Sequence, residues 1–169
     1  MNQLKNKLIA RFFARYPSLL NRWVRKTRFV YFSDTPWTSY TGDPSKSRLA
    51  LVTTGGVHLK GQPPFDMRDS QGDPSFREIP ADAAPAEMTI THDYFDHRDA
   101  DKDINILFPV AGVRLLERFG EIGRVNQRHF SFMGHIRGRH LDALLQRSAP
   151  DAAARLRQDK VDIVLLTPG

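Results

Sequence analysis

The sequence predicts an α/β fold built on a mainly parallel sheet with flanking helices, a Rossmann-like three-layer arrangement, and three observations carry that expectation. Two short apolar runs read as strands: Leu49-Ala50-Leu51-Val52-Thr53, with the profile of a strand buried on both faces, and Val161-Asp162-Ile163-Val164-Leu165-Leu166, the most strand-like segment of the chain. Between them, helical patterns alternate with further strand-like segments, as parallel strands joined by crossovers require. A basic amphipathic helix, different in composition from all that follows, precedes this unit. At 169 residues, 40% hydrophobic and 26% charged, the chain has room for one ordinary domain.

The N-terminal segment comes first because it distorts the charge balance. Residues 1–30 hold Lys5, Lys7, Arg11, Arg15, Arg22, Arg25, Lys26 and Arg28 and no acid, so the net positive charge of the chain sits there. The rest of the chain carries 17 basic and 19 acidic groups, which argues against a body that binds nucleic acid specifically. Leu4, Leu8 and Phe12, with Ile9, Phe13 and Tyr16, recur at helical spacing, and Leu19, Leu20, Trp23 and Val24 continue the stripe past Pro17. A basic helix over 1–28 is expected. Its stripe packs on the body or a partner, or it lies on an anionic membrane surface, or it is an address or a nucleic-acid contact. Arginines interrupt every apolar run, unlike a secretory signal, and no stretch approaches the roughly 20 apolar residues of a membrane span. A cytoplasmic protein is expected, peripheral to the membrane if the helix is interfacial.

Residues 29–47, rich in Pro, Ser, Thr, Asp and Gly, read as a linker, and the domain proper is placed at 48–169. The strand at 49–53 ends in Thr54-Gly55-Gly56. From Lys60 to Ala86, Pro63, Pro64, Pro74, Pro80 and Pro85 predict irregular structure. Thr89-Ile90-Thr91 reads as a brief strand, Val110 to Phe119 as a helix stopped at Gly120 or Gly123, and Val125 to Phe132 as a strand. Helical patterns follow at Arg139 to Gln146 and Ala149 to Gln158. The most strand-like segment comes last, so the α/β unit is expected to be incomplete at its C-terminus, lacking the helix that would follow.

The motifs exclude more than they assign. With no cysteine, the chain has no disulfide, thiolate metal site or cysteine nucleophile. Thr53-Thr54-Gly55-Gly56 matches neither the P-loop nor the dinucleotide pattern. Asp99, Asp101 and Asp103 resemble a calcium loop only superficially, since Ile104 and Val110 stand where Gly and Glu belong. His92 and His97, five apart, lack the spacing of a helical metal pair, and no Gly-x-Ser-x-Gly elbow exists. Arg137, Arg139 and His140 form a basic turn that either grips a carboxylate or is an exposed loop before a helix.

Several blocks together carry a resemblance. Ala50-Leu51-Val52-Thr53-Thr54-Gly55-Gly56-Val57-His58-Leu59-Lys60, Asp73-Pro74-Ser75-Phe76-Arg77-Glu78-Ile79-Pro80 and His92-Asp93-Tyr94-Phe95-Asp96 are followed by Asp101-Lys102-Asp103-Ile104-Asn105-Ile106-Leu107-Phe108-Pro109, Phe130-Ser131-Phe132-Met133-Gly134 and the final Val161 to Gly169. From about residue 48 onward the chain resembles the selenoprotein B family of glycine, sarcosine, betaine and D-proline reductases, the D-proline selenoprotein subunit most of all. The basic turn at 137–140 departs from the glycine-rich stretch of that subunit.

The resemblance implies a cytoplasmic oxidoreductase subunit that reductively cleaves a C–N bond of a small amine, amino acid or betaine-like substrate. The family's Thr-x-Gly turn, here Thr167-Pro168-Gly169, leads into a selenocysteine or cysteine, so the nucleophile is expected directly after Gly169 and no catalytic residue within the chain. The selenolate attacks the carbon beside the amine, the C–N bond breaks, a neighbouring thiol displaces the adduct, and a thioredoxin-like or other dithiol donor resets the site. A pyruvoyl group on a partner subunit holds the amine in the glycine and D-proline enzymes. On this reading the chain is truncated just before its selenocysteine, whose UGA codon is read as a stop, and is inactive as it stands. His58, His92, Asp103 and Asn105 are expected to bind substrate, by hydrogen bonding or proton transfer, with core or loop-bracing roles as the alternative. The alternative function is a non-catalytic binding or regulatory subunit that docks through its basic helix.

Overall fold

In the computed structural model, which describes residues 2–25, 33–34 and 38–169, the central element is β1 (Arg48–Thr53), paired along both edges. One edge takes β7 (Ile163–Thr167) in parallel, in register from Leu49 with Ile163 to Thr53 with Thr167. The other takes β5 (Arg124–Val125) and β6 (Arg128–Ser131), also in parallel. Beyond β6 lies β3 (Arg77–Pro80), antiparallel, so the sheet is mixed rather than wholly parallel. A separate antiparallel pair joins β2 (Val57–Leu59) to β4 (Met88–Ile90).

The sequence reading expected β1, β4, β7 and the helix at 110, and the structure has them. β2 and β3 are additions. β3 falls in the proline-rich stretch read as irregular; as an edge strand it tolerates Pro80, whose missing N–H removes no interior ladder bond.

Alternation along β1 divides the core. Leu49 and Leu51 belong to the apolar cluster that contains Val110 and Val113 of α3 (Val110–Arg118). Ala50 belongs instead to the cluster containing Ala152 and Leu156 of α5 (Ala149–Gln158). The expected pair of helices at 139–158 is one helical path: α4 (Arg139–Ala143), a wide π turn over Leu144–Ser148, and α5. Pro150 explains the wide turn, because its ring displaces the carbonyl four residues back and it has no N–H to donate.

The expected strand at 125–132 is broken by a bulge. Leu49 faces Val125 but Val52 faces Phe130, so Asn126 and Gln127 are extra. Two devices hold the bulge. The amide of buried Asn126 donates to Arg128 O at 2.8 Å and to Asp159 at 3.0 Å, and Arg128 grips the same Asp159 through both its Nε (2.6 Å) and Nη2 (2.7 Å). Opposite the bulge, the Leu51 N–H donates to Nδ1 of His129 at 3.1 Å, so a ring nitrogen replaces the ladder carbonyl that the bulge displaces. His129 is fully buried, and desolvation pushes its pKa down to about 4.

At the N-terminus α1 (Asn2–Arg15) and α2 (Pro17–Val24) replace the single helix expected over 1–28, with Pro17 opening the second. The end of that expected helix (26–28) and much of the expected linker (29–32 and 35–37) lie outside the described residues. The remainder of the linker ends in a 3₁₀ turn, Pro44–Lys46, capped by Asp43, which accepts from the Ser45 N–H at 3.0 Å. Among the described residues no helix is long and apolar enough to cross a membrane.

His129 makes acid stability a test of the bulge. Its folded pKa of about 4 lies below the ordinary histidine value, so the unfolded chain takes up its proton first as pH falls. Between about pH 6.5 and 4 this costs up to about 3 kcal/mol. Urea unfolding as a function of pH should therefore show His129→Leu destabilised at pH 7, where the Leu51 N–H loses its acceptor, with a shallower loss below pH 6.5 than the parent protein.

Candidate functional site

At the carboxyl ends of the parallel strands the backbone of Thr53-Thr54-Gly55-Gly56 ties three strand ends together. The Thr54 N–H donates to Thr167 O at 3.0 Å, at the end of β7, and the Gly56 N–H to Phe132 O at 2.8 Å, just past β6. Gly56 O accepts from the Thr91 N–H at 2.9 Å, beyond β4. Thr53, fully buried, adds its hydroxyl to Thr167 O at 3.1 Å, and the Gly169 N–H donates to the Thr54 hydroxyl at 3.1 Å. The Thr167 hydroxyl reaches Leu107 O at 2.6 Å, bringing in the segment before α3. Carboxyl ends of parallel strands are where open α/β sheets bind ligands.

Glycines make this convergence sterically possible. A Cβ on Gly56, at φ +70°, would stand 2.5 Å from Thr91 O, and one on Gly134, at φ +75°, would stand 2.7 Å from Thr54 O. Gly169 lies against the same loop, its would-be Cβ 2.7 Å from Gly55 Cα.

Next to this floor is a cleft of about 620 Å³, bordered by Thr54, His92, Tyr94, His135, Arg137 and Gly169 and closed on one side by Ile9 and Phe13 of α1. Its wall is aromatic. Tyr94 stacks on His135 at 3.7 Å with a 14° tilt, and the His92 ring lies 4.6 Å from Phe95. His135 is fixed by a ring nitrogen 3.0 Å from Ser70 O. Burial, reinforced by the neighbouring His135, pushes the His92 pKa down to about 4, with a backbone hydrogen bond at Met133 acting the other way. Burial lowers His135 too and raises the Tyr94 hydroxyl. All three rings are therefore neutral near pH 7.

Charge enters at the rim. Asp96 is held down to about 2 by the Arg98 guanidinium, which grips both its oxygens. In the basic turn, Arg139 and His140 both turn to Asp69 and are spent on it, His140 at 2.9 Å. Arg137 differs: its backbone N–H binds Gln71 O at 2.8 Å, while its guanidinium borders the cleft with no ion pair among the described residues.

The four residues expected at the site are not brought together. His92 borders the cleft, with its Nδ1 accepting from the Tyr94 N–H at 3.1 Å. His58 lies in β2 with both ring nitrogens engaged, by Leu59 O at 2.8 Å and the Thr91 hydroxyl at 2.7 Å, and does not border the cleft. Asp103 caps the 3₁₀ turn Ile104–Ile106, accepting from the Asn105 N–H at 3.0 Å and its side-chain amide at 2.9 Å. Asn105 in turn accepts from the Ala111 N–H at 3.0 Å at the start of α3. These two brace the segment whose Leu107 carbonyl receives Thr167. Among the described residues no three His, Asp or Glu side chains converge as metal ligands. His135 escapes the sequence reading; its position four residues past the end of β6, a strand that pairs in parallel, directly after Gly134, is the signal that marks it.

The family model for glycine/sarcosine/betaine reductase selenoprotein B (GRDB) matches residues 30–169. Among curated proteins, the D-proline reductase subunit gamma of Acetoanaerobium sticklandii is 36% identical over 143 residues, covering 83% of this chain and 57% of its own length. The betaine reductase complex component B subunit beta of Peptoclostridium acidaminophilum is 31% identical, covering 74% of this chain and 28% of its own length. The glycine reductase complex component B subunit gamma of Symbiobacterium thermophilum is also 31% identical, covering 80% and 32%. The chain thus spans little more than half the length of the first relative and about a third of the others. No solved structure matches it.

The close approach at Gly56 gives a stability test. Gly56→Ala combines a positive φ with a backbone collision and is expected to cost at least about 2 kcal/mol in denaturant unfolding. Gly61→Ala, whose Cβ meets nothing within 4 Å, should change stability by less than about 0.5 kcal/mol. Equal effects would show that the turn does not hold the strand ends at these distances.

Proposed function

We infer the function from a single premise: the chain belongs to the glycine/sarcosine/betaine reductase selenoprotein B family. Within it, we propose that residues 48–169 are the N-terminal part, Rossmann-like in its complete form, of a selenocysteine- or thiol-dependent reductase subunit. Its substrate is a small amine, amino acid or betaine-like compound whose C–N bond is cleaved reductively at the expense of a dithiol donor. The relatives' names describe subunits of reductase complexes, which supports action beside partner subunits, including one that bears a pyruvoyl group.

The observation that carries this reading is the convergence of Gly169, Thr54 and Gly134 at the carboxyl edge of the parallel strands, where they border one cleft. In family members the reactive selenium or sulfur follows this turn; it supplies the nucleophile and the reducing electrons. This chain's residues do the rest. Arg137, which has no ion pair among the described residues, receives the substrate carboxylate. The neutral wall of His92, Tyr94 and His135 excludes water and accepts the amine end without a competing charge. Asp103 and Asn105 act at a distance, by fixing the Leu107 carbonyl against Thr167, and His58 by bracing β2 against Thr91 behind the Gly56 turn.

A protein carrying cysteine directly after Gly169 tests this. Its thiol should be alkylated with a midpoint below the ordinary value of about 8.5, because Arg137 and backbone N–H groups at the strand ends stabilise thiolate. Arg137→Gln should raise that midpoint by about one unit, roughly the 1.4 kcal/mol by which a near, partly solvated cation favours the anion. With carboxylate substrates the same change should raise KM far more than it lowers kcat. A midpoint near 8.5, unmoved by Arg137→Gln, contradicts the reading.

A further inference from the structure

The family model leaves residues 1–29 unmatched, and the described part of that segment carries an arrangement that the cleft does not use. α1 has two apolar sides. Ile9 and Phe13 border the cleft and answer to the body of the protein. Leu8 (57% exposed) and Phe12 (49%) lie four apart on another side, continued by Tyr16 (49%) and, in α2, Leu19 (43%). The Phe12 and Tyr16 rings contact at 5.0 Å, so the stripe is continuous there. Lys5, Arg11 and Arg15 in α1, with Arg22 and Arg25 in and after α2, are exposed as well. Residues 1–30 contain no acid at all.

A helix stripe that merely packs on its own domain is buried by doing so, and of the two residues bordering the cleft Phe13 is half-buried while Ile9 keeps 43% exposure. Leu8, Phe12, Tyr16 and Leu19 are left in water, among cations that nothing on the same helices neutralises. A polyanion such as nucleic acid would answer the cations but would give Leu8 and Phe12 no apolar environment. A bilayer with anionic headgroups answers both.

We propose that the outward face of α1 and α2 docks on an anionic lipid surface. Leu8, Phe12, Tyr16 and Leu19 enter the boundary between headgroups and acyl chains, and the lysine and arginines lie among the phosphates. The inner face keeps Ile9 and Phe13 against the cleft, so the cleft is held beside the membrane. The inference stands apart from the reductase reading, since it uses no residue assigned to substrate.

The test is co-sedimentation of the 169-residue protein with vesicles of phosphatidylcholine alone or of phosphatidylcholine mixed with phosphatidylglycerol. Binding is expected to the mixed vesicles and not to the neutral ones. It should be released by raising salt from about 0.1 M, where the screening length is about 10 Å, to about 1 M, where it is about 3 Å. Arg11→Gln with Arg15→Gln should lower the partition about thirty-fold. Leu8→Gln with Phe12→Gln should lower it at least about tenfold. Circular dichroism reports whether each pair leaves the protein folded, and the two pairs change different chemistry on one face. Equal binding to both vesicle types, no binding to either, or anionic binding that survives loss of Leu8 and Phe12 would each overturn the proposal, the last pointing to a general polyanion contact.

Discussion

The constraint on which the structure depends is steric: one turn, Thr53 to Gly56, has to touch the ends of β6 and β7 and the segment after β4 at backbone distance. Hydrogen bonds of 2.8 to 3.0 Å from Thr54 and Gly56 leave no room for side chains between these segments. Glycine at positions 56, 134 and 169 is the chemical answer, and the parallel arrangement of β1, β6 and β7 brings all three to one edge. The cleft exists because backbone, rather than side chains, fills this corner.

Rigidity at that edge depends on what happens at the middle of the sheet. The bulge after β5 shifts β6 so that Phe132 and Gly134 arrive opposite the turn, and the buried ring of His129 restores the hydrogen bond that the shift removes. Asp159, at the end of α5, ties the bulge to the helix through Asn126 and Arg128. The neutral imidazoles here and in the cleft have one cause, desolvation, yet different consequences: His129 holds the sheet, while His92 and His135 give the cleft an uncharged wall beside Arg137.

Much of this was legible in the sequence, and the missing parts share a physical reason. β1 and α3 announce themselves because apolar burial is encoded locally, by a run and by helical spacing, while β7 is announced by its apolar, β-branched run although Val164, Leu165 and Leu166 are exposed. β3 does not, since Arg77-Glu78-Ile79-Pro80 buries only Ile79 and owes its strand to β6, a partner some fifty residues away. The bulge is likewise invisible, as Asn126 and His129 are polar residues whose partners lie on other elements. Of the four residues expected to bind substrate, only His92 borders the cleft; His58, Asp103 and Asn105 spend their side chains on Leu59 O and the Thr91 hydroxyl, on the Asn105 amides and on the Ala111 N–H, partners that no spacing along the chain announces. Arg137 was weighed as one of three equivalent basic groups. Its distinction from Arg139 and His140 arises from Asp69, almost seventy residues earlier, which claims the other two.

The central claim is that the Thr53–Gly56 turn welds the strand ends into a single rigid floor. Native-state hydrogen exchange of the Thr54 and Gly56 amides, with urea unfolding of the same sample as reference, measures this most directly. If the account is right, both amides exchange only through global opening, with protection free energies equal to the unfolding free energy and falling with urea at the same slope. Protection well below the global value and insensitive to urea would mean that the turn opens by local fluctuation, and the cleft could not then owe its shape to these contacts.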